Sequence, residues 1–411
     1  MSYLRQVEIG RNELSYDAWG RPKTIQDFSL FSAVWSYSVP NRLWVEFLDT
    51  GAGWTEQAVI DNTLVKSTKG HLEVTGNSTT DTMLLSKRHP RYQPNRGFLY
   101  SSAHVLASPN LVGTRRFGSA VDGETGIFFE LVGSGSDWVM NAVRRTTVSG
   151  TTTDTRINIT SLLPSGFDPS KGNIYDIQMQ WRGMGNIKFF VNLELVYEFE
   201  LLGTLADISL NNPALQVYFE CSSVGATPVS IVSGCVDITT EGGGRANKLY
   251  TSITTGSTLL PVSKTPGTAV LAIKIPNKIT YDGGLVNYTR DMIMTELTTF
   301  SKDEAQRTVY YGRLITCTNL DAAAGWTKGN DSEYLYLTNA SGALDTAFQL
   351  DKANMVDIYS TRGDIDTSLS HNNPDPNNAD FYLTSGDIIV VEFIPDNNST
   401  AGCTLEFAEE V

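Results

Sequence analysis

Short apolar runs recur along this chain between clusters of Gly, Asn, Asp and Pro. They are rich in Val, Ile, Thr, Tyr and Phe, the signal of an all-β protein. "GIFFELVG", "WVMNAVRRTTVSG", "NIYDIQMQWRG", "NIKFFVNLELVYEFEL" and "ALQVYFECSS" follow one another with turn residues between them. In "IYDIQMQW", Tyr175, Ile177, Met179 and Trp181 alternate with Ile174, Asp176, Gln178 and Gln180. Period two with one wet face predicts an antiparallel strand on a sandwich surface. Gly183 and Gly185 supply the next turn, and Asn192 falls near the bend of the hairpin that follows. Amphipathic helical spacing is scarce. Its best stretch, Arg290 to Gln306, reads as helix or as strand.

The runs form two sets. A dozen or so strands between Phe28 and Gly243 predict one lectin-like β-sandwich over residues 25–244. Gly242, Gly243 and Gly244 ahead of "RANK" predict a flexible joint. "AVLAIKIPN", "TVYYGRLITCT", "EYLYLTN", "MVDIYSTRGD", "FYLTSGDIIVVEFIPD" and "CTLEFAEEV" then predict a second sandwich over 245–411. Its last two runs read as a hairpin-like pair around "PDNNSTAG". The expected fold is all-β: two jelly-roll or concanavalin-like β-sandwich domains behind an extended arm, residues 1–24.

Composition narrows the function classes. The 31 Lys and Arg stand against 45 Asp and Glu, a net charge of −14, which argues against a nucleic-acid partner. No apolar run reaches the ~18 residues of a membrane helix, so no membrane insertion is expected. No signal-peptide core follows Met1, which predicts synthesis in a cytosol. Cys221, Cys235, Cys317 and Cys403 match no zinc spacing and read as thiols half-buried in strands, with a Cys221–Cys235 bridge as the alternative. His71, His89, His104 and His371 show no ligand spacing. No metal and no cofactor is expected.

Candidate chemistry is thin. Asp364 and Asp366 in "RGDIDTS" alternate on one extended segment, as a glycosidase carboxylate pair would; a solvated loop is the simpler reading. "SHNNPDPNNAD" is rich in calcium-type oxygen donors but lacks the ordered loop spacing, and reads as turns. "EGGGRANK" lacks the Gly-Lys-Ser/Thr ending of a phosphate loop, and no Gly-x-Ser-x-Gly elbow occurs. Trp138 and Trp181 lie in strand patterns and read as core. Trp54 in "DTGAGWTEQ" and Trp326 in "DAAAGWTKGN" each follow Ala-Gly in a turn-rich context, which marks them as exposed, ligand-stacking candidates. "RHPRYQPNRG" is the most basic stretch, and Arg88, Arg91, Tyr92 and Arg96 read either as an assembly interface or as a solvated edge.

The arm holds "SYDAWGRPKT". Pro22 biases Arg21 to an extended conformation, and a polar arm gives Trp19 little of its own to bury against. Trp19 and Arg21 are therefore expected to anchor the arm on a neighbouring subunit.

After the leader motif "DAWGR", six more occur in order: "FSLFS", "WVEF", "RYQPNRG", "TGIFFE", "DIQMQWRGMG" and "TTEGGG". In this order the chain resembles virion structural proteins of tailed bacteriophages over about residues 15–244. The sandwich also resembles concanavalin- and laminin-G-like lectin domains, without their calcium pair. The resemblance implies a non-enzymatic tail-fibre, baseplate-associated or capsid-decorating component of the virion, assembled in the bacterial host cytoplasm. Its partners would be other virion proteins and copies of itself, as a homo-oligomer and most simply a trimer. A carbohydrate-binding adhesin contacting a host-surface glycan is the alternative.

Overall fold

The computed structural model describes the chain except residues 1–27, 36–38, 41–42, 58, 61–62, 69, 91–96, 109–110, 122–124, 135–136, 149–150, 180–184, 201–209, 211, 226, 241–247, 256–259, 264–265, 277, 282–283, 288–291, 302–306, 315–317, 324, 329–333, 339–341, 364–365, 371–381, 384–385, 396–398 and 411. The arm, the glycine joint, "SHNNPDPNNAD" from His371 onward, Asp364, Trp181 and Cys317 lie outside the described residues. The chain forms two compact units, Met1–Ala246 and Asn247–Val411.

The first unit is built from strands β1 (Phe28–Val34), β2 (Trp44–Asp49), β3 (Thr55–Glu56), β4 (Val65–Thr68), β5 (His71–Gly76), β6 (Asp81–Ser86), β7 (Phe98–Ser108) and β8 (Gly113–Val121). Then come β9 (Thr125–Gly133), β10 (Trp138–Val148), β11 (Thr151–Asn158), β12 (Asn173–Met179), β13 (Ile187–Val191), β14 (Glu194–Phe199), β15 (Gln216–Ser222) and β16 (Val229–Thr240). They make two antiparallel eight-stranded sheets. The first runs β14-β13-β12-β7-β16-β5-β4 with β1 beside β16; the second runs β11-β10-β9-β8-β15-β6-β2-β3.

Alternation decides which side chains meet between the sheets. In β12, Tyr175, Ile177 and Met179 are buried while Ile174 is exposed, as the period-two pattern predicts. They join Phe98, Tyr100, Phe189 and Ile238 of the first sheet against Phe117, Phe129, Val217 and Phe219 of the second. Trp44 belongs to this core and Trp138 packs half-buried against it, its ring 5.7 Å from that of Phe167. The β13–β14 hairpin turns on Asn192 (φ 51°) and Leu193 (φ 69°), the two positive φ angles that a tight two-residue hairpin loop demands. Asn192 Oδ1 also accepts the Ile174 N–H at 2.9 Å, which ties the turn to β12.

The second unit comprises β17 (Lys248–Thr254), β18 (Leu260–Val262), β19 (Thr268–Lys274), β20 (Lys278–Tyr281), β21 (Gly284–Asn287), β22 (Met292–Ser301) and β23 (Arg307–Leu314). β24 (Thr327–Lys328), β25 (Leu335–Thr338), β26 (Met355–Gly363), β27 (Asp366–Ser370), β28 (Tyr382–Leu383), β29 (Ile388–Pro395) and β30 (Ser399–Glu410) complete it. One sheet runs β17-β30-β22-β27, the other β24-β25-β19-β29-β23-β26. Arg290–Gln306, open between helix and strand in the sequence, holds strand β22.

Two expectations are corrected here. β29 and β30 are not a hairpin: β29 pairs with β19 and β23 in one sheet, β30 with β17, β18 and β22 in the other. The link between them crosses the sandwich because both strands are rich in buried apolar residues and each must face the common core. A nine-residue helix, Ala343–Asp351, was not foreseen. Its Leu344, Ala347 and Phe348 cover the far side of the β29 sheet, against Ala269, Ala272, Ile388 and Val390. Cys221 and Cys235 are free thiols in strands of opposite sheets, one buried and the other exposed, and the alternative bridge between them is not formed. Cys221 points into the core, where burial pushes its thiol up to about 12.

Candidate functional site

The outward face of the second sheet of the first unit carries buried charge, where a sandwich strand ordinarily presents its outward charged residues to solvent. On β9, Ile127, Phe129 and Leu131 enter the core, so Phe128, Glu130 and Val132 face outward. On β8 the outward residues are Arg116, Gly118 and Ala120; on β15 they are Gln216, Tyr218 and Glu220. Register then lines these residues up in rows across the strands.

One row is apolar: Val143, Phe128, Gly118, Tyr218, Leu85 and Val45. Gly118 is required there. A Cβ on it would stand 2.5 Å from the Ile127 carbonyl oxygen and 2.7 Å from the Phe128 Cα. The gap lets the Phe128 and Tyr218 rings meet edge to face, 5.3 Å between centroids. Phe128, Val143 and Tyr218 are fully buried, so the face is closed at this row.

The adjacent row is ionic: Asn158, Asn141, Glu130, Arg116 and Glu220. Arg116 sits between two carboxylates. Its Nε donates to Glu130 Oε2 at 2.8 Å and its Nη1 donates to Glu220 Oε1. Glu130 Oε1 also accepts from Arg156 Nε at 3.0 Å and from Asn141 Nδ2 at 3.1 Å. The Tyr218 hydroxyl donates to Glu220 Oε2. Arg145 grips Asp154 through Nε at 2.7 Å and Nη2 at 2.9 Å, and Arg156 Nη2 joins the same carboxylate at 2.6 Å. Bidentate pairs of this kind hold geometry as well as charge. Burial works against ionisation of Glu130, but the hydrogen bonds and charges of Arg116 and Arg156 outweigh it and hold the carboxyl below its ordinary range. Burial, reinforced by the Glu220 carboxylate, pushes the Tyr218 phenol up.

The face opens beyond the ionic row. Val139, Val132, Thr114, Ser222, Asp81 and Asp49 line up where the strands end, and Val132 and Val139 are 41% and 36% exposed. This ledge spans about 24 Å at the usual strand spacing. Asp81 accepts from the Ser222 hydroxyl and, at 3.2 Å, from the Ser223 N–H. Asp49 Oδ1 accepts the Gly51 N–H at 2.7 Å and the Gly53 N–H at 2.9 Å, which shapes the loop leading to Trp54. Glu130 and Glu220 thus stand at the border between a dry apolar floor and a solvent-open ledge.

The sequence candidates are scattered. Trp54 is 40% exposed on the β2–β3 loop. Trp326 is not an exposed platform: it is half-buried against the apolar cluster beneath the 343–351 helix, and its Nε1 donates to the Leu320 carbonyl at 3.2 Å. The indole fills the space the helix leaves, which the Ala-Gly context did not reveal. Arg88 is half-buried at the end of β6, while Trp19, Arg21, Arg91, Tyr92 and Arg96 lie outside the described residues. The ionic row was missed altogether. Its signal was a lone charge inside an apolar run, Glu130 in "IFFELV" and Glu220 in "VYFEC".

No protein-family model matches the chain, and no curated protein matches it. Its fold is similar to that of solved structures. One is an endo-1,3-beta-glucanase from Streptomyces sioyaensis, with 14% identity over 53% of this chain and 97% of that one, TM-score 0.40. Another is beta-agarase A from Zobellia galactanivorans, with 14% identity over 54% and 93%, TM-score 0.40. A third is an endo-acting O-glycanase of the human gut microbiota, with 13% identity over 51% and 98%, TM-score 0.38. At such identity the likeness is one of fold. These structures are glycan-cleaving enzymes by name, and the expectation of a non-enzymatic virion component, or of an adhesin without catalysis, is corrected accordingly. The ordered motifs behind that expectation are strand and turn signatures, which specify a sandwich and not what the sandwich does.

Proposed function

We propose that the first unit is a carbohydrate-active domain that hydrolyses a glycan lying along the ledge of its second sheet. The observation that carries this reading is the pair Glu130 and Glu220 flanking Arg116 beside that ledge. Their strands flank β8, and the Arg116 guanidinium bridges the two carboxylates. The base of an inverting pair takes a proton from a water on the far face of the sugar. Glu130, held ionised by two guanidinium groups, is the base that takes a proton from that water. Glu220 is the second carboxyl group of the pair, fixed by Arg116 Nη1 and the Tyr218 hydroxyl. Asn141 and Arg156 fix the Glu130 carboxylate in place. The apolar row behind excludes water from one side of the pair.

The test is release of reducing ends from a panel of polysaccharides by the full chain and by Glu130→Gln and Glu220→Gln. Expected is activity on at least one polysaccharide, reduced at least a hundredfold in each variant, with glycan binding kept. Absence of activity on every polysaccharide would mean that the row is only a structural ion network.

A further inference from the structure

We infer that the glycan this ledge accepts is an uncharged one, and that sulfated and uronate-bearing chains are excluded. The inference rests on the carbohydrate-active reading and deepens it.

The ground is the charge of the face. Its three arginines, Arg116, Arg145 and Arg156, are each already bonded to Glu130, Glu220 or Asp154. Their positive charge is spent inside the sheet. The same face adds three more carboxylates, Asp49, Asp81 and Glu56, which register places toward the β2 end. Its described strand residues include no lysine. A site for a polyanion needs cations whose donors point at the ligand, in the manner of guanidinium groups toward phosphate or sulfate. Here an anionic sugar on the ledge would meet like charge on a partly desolvated surface, which costs binding outright.

The ledge instead offers acceptors. Asp49 and Asp81 sit directly opposite each other on β2 and β6. Each is oriented by donors on its protein side, backbone N–H groups for Asp49 and Ser222 with Ser223 for Asp81. A carboxylate fixed in this way has lone pairs left for ligand O–H groups. Neutral sugars are rich in such donors, and the 40% exposed Trp54 at the end of the loop from Asp49 gives an apolar ring for a sugar face.

The experiment is binding of the full chain to an array of neutral glucan, galactan, mannan and N-acetylated oligosaccharides, each beside its chemically sulfated form, with uronate oligosaccharides included. Binding confined to uncharged members, and at least tenfold weaker on sulfation, is the expected result. In Asp49→Asn/Asp81→Asn, affinity for the neutral ligand should fall about tenfold, with the melting temperature unchanged or raised by relief of like charge. Stronger binding to sulfated or uronate chains than to neutral ones would overturn the inference while leaving the carbohydrate-active reading intact. Binding to nothing on the array, together with no hydrolysis, would overturn both.

Discussion

His104 lies on β7 with its ring 4.5 Å from Phe117, 5.6 Å from Phe219 and 5.7 Å from Tyr175, centroid to centroid. Its Nε2 faces the Tyr100 hydroxyl at 3.5 Å. Burial alone brings its pKa down to about 3. The unfolded chain, with an ordinary histidine near 6.5, binds a proton that the folded chain refuses. This contribution to stability is therefore complete above about pH 6.5 and is lost as pH falls from there toward 3, at ~1.4 kcal/mol per pH unit. Denaturant unfolding across this range should show that slope, and His104→Leu should lack it relative to the parent. A parallel slope in both proteins would contradict the assignment. Gly118→Ala is the second residue-scale prediction. Its Cβ would collide with the backbone of β9, so unfolding free energy should drop by ~2 kcal/mol or more. The sequence displayed both residues and neither role. A histidine in "SAHVL" and a glycine in "RFGSA" acquire their meaning from rings and strands that sequence separation hides.

At the scale of elements, the ionic row ties β8, β9, β10, β11 and β15 together across the outward face. Removing its central anion leaves Arg116 and Arg156 without one carboxylate in a largely buried place. Glu130→Gln should cost ~3 kcal/mol of stability, whereas Thr152→Ala on the exposed edge strand β11 should cost within ~0.5. The Glu130 carboxyl titrates below its ordinary range when folded, so its share of stability is present above that range and fades as pH falls through it. Urea titrations of both variants at neutral and acid pH measure this. Strands were the legible elements, because β-branched and aromatic runs with period two can be read locally. The Tyr175–Ile177–Met179 alternation and the Asn192 turn are examples. The 343–351 helix was masked by its short length, since Leu344, Ala347 and Phe348 make one apolar stripe only when a sheet face is there to receive them. Whether successive strands pair or cross the sandwich, as β29 and β30 do, depends on core contacts and not on the loop between them.

At the scale of the whole molecule, each buried apolar cluster among the described residues belongs to one unit. The described residues of the clusters around Phe117 and Phe128 come from the first unit, and those of the clusters around Phe393 and Phe348 from the second. Fragments 25–246 and 247–411 should accordingly each unfold cooperatively in urea when made separately. The central claim concerns the first of these units: a glycan lies along the ledge past Glu130 and Glu220. Amide hydrogen exchange of the full chain carrying Glu220→Gln, with and without the polysaccharide the parent hydrolyses, tests it most directly. Slowed exchange confined to the strand ends around Asp49, Asp81, Thr114, Val132, Val139 and Ser222 is the predicted result. Slowed exchange elsewhere, with these strand ends unchanged, would contradict it.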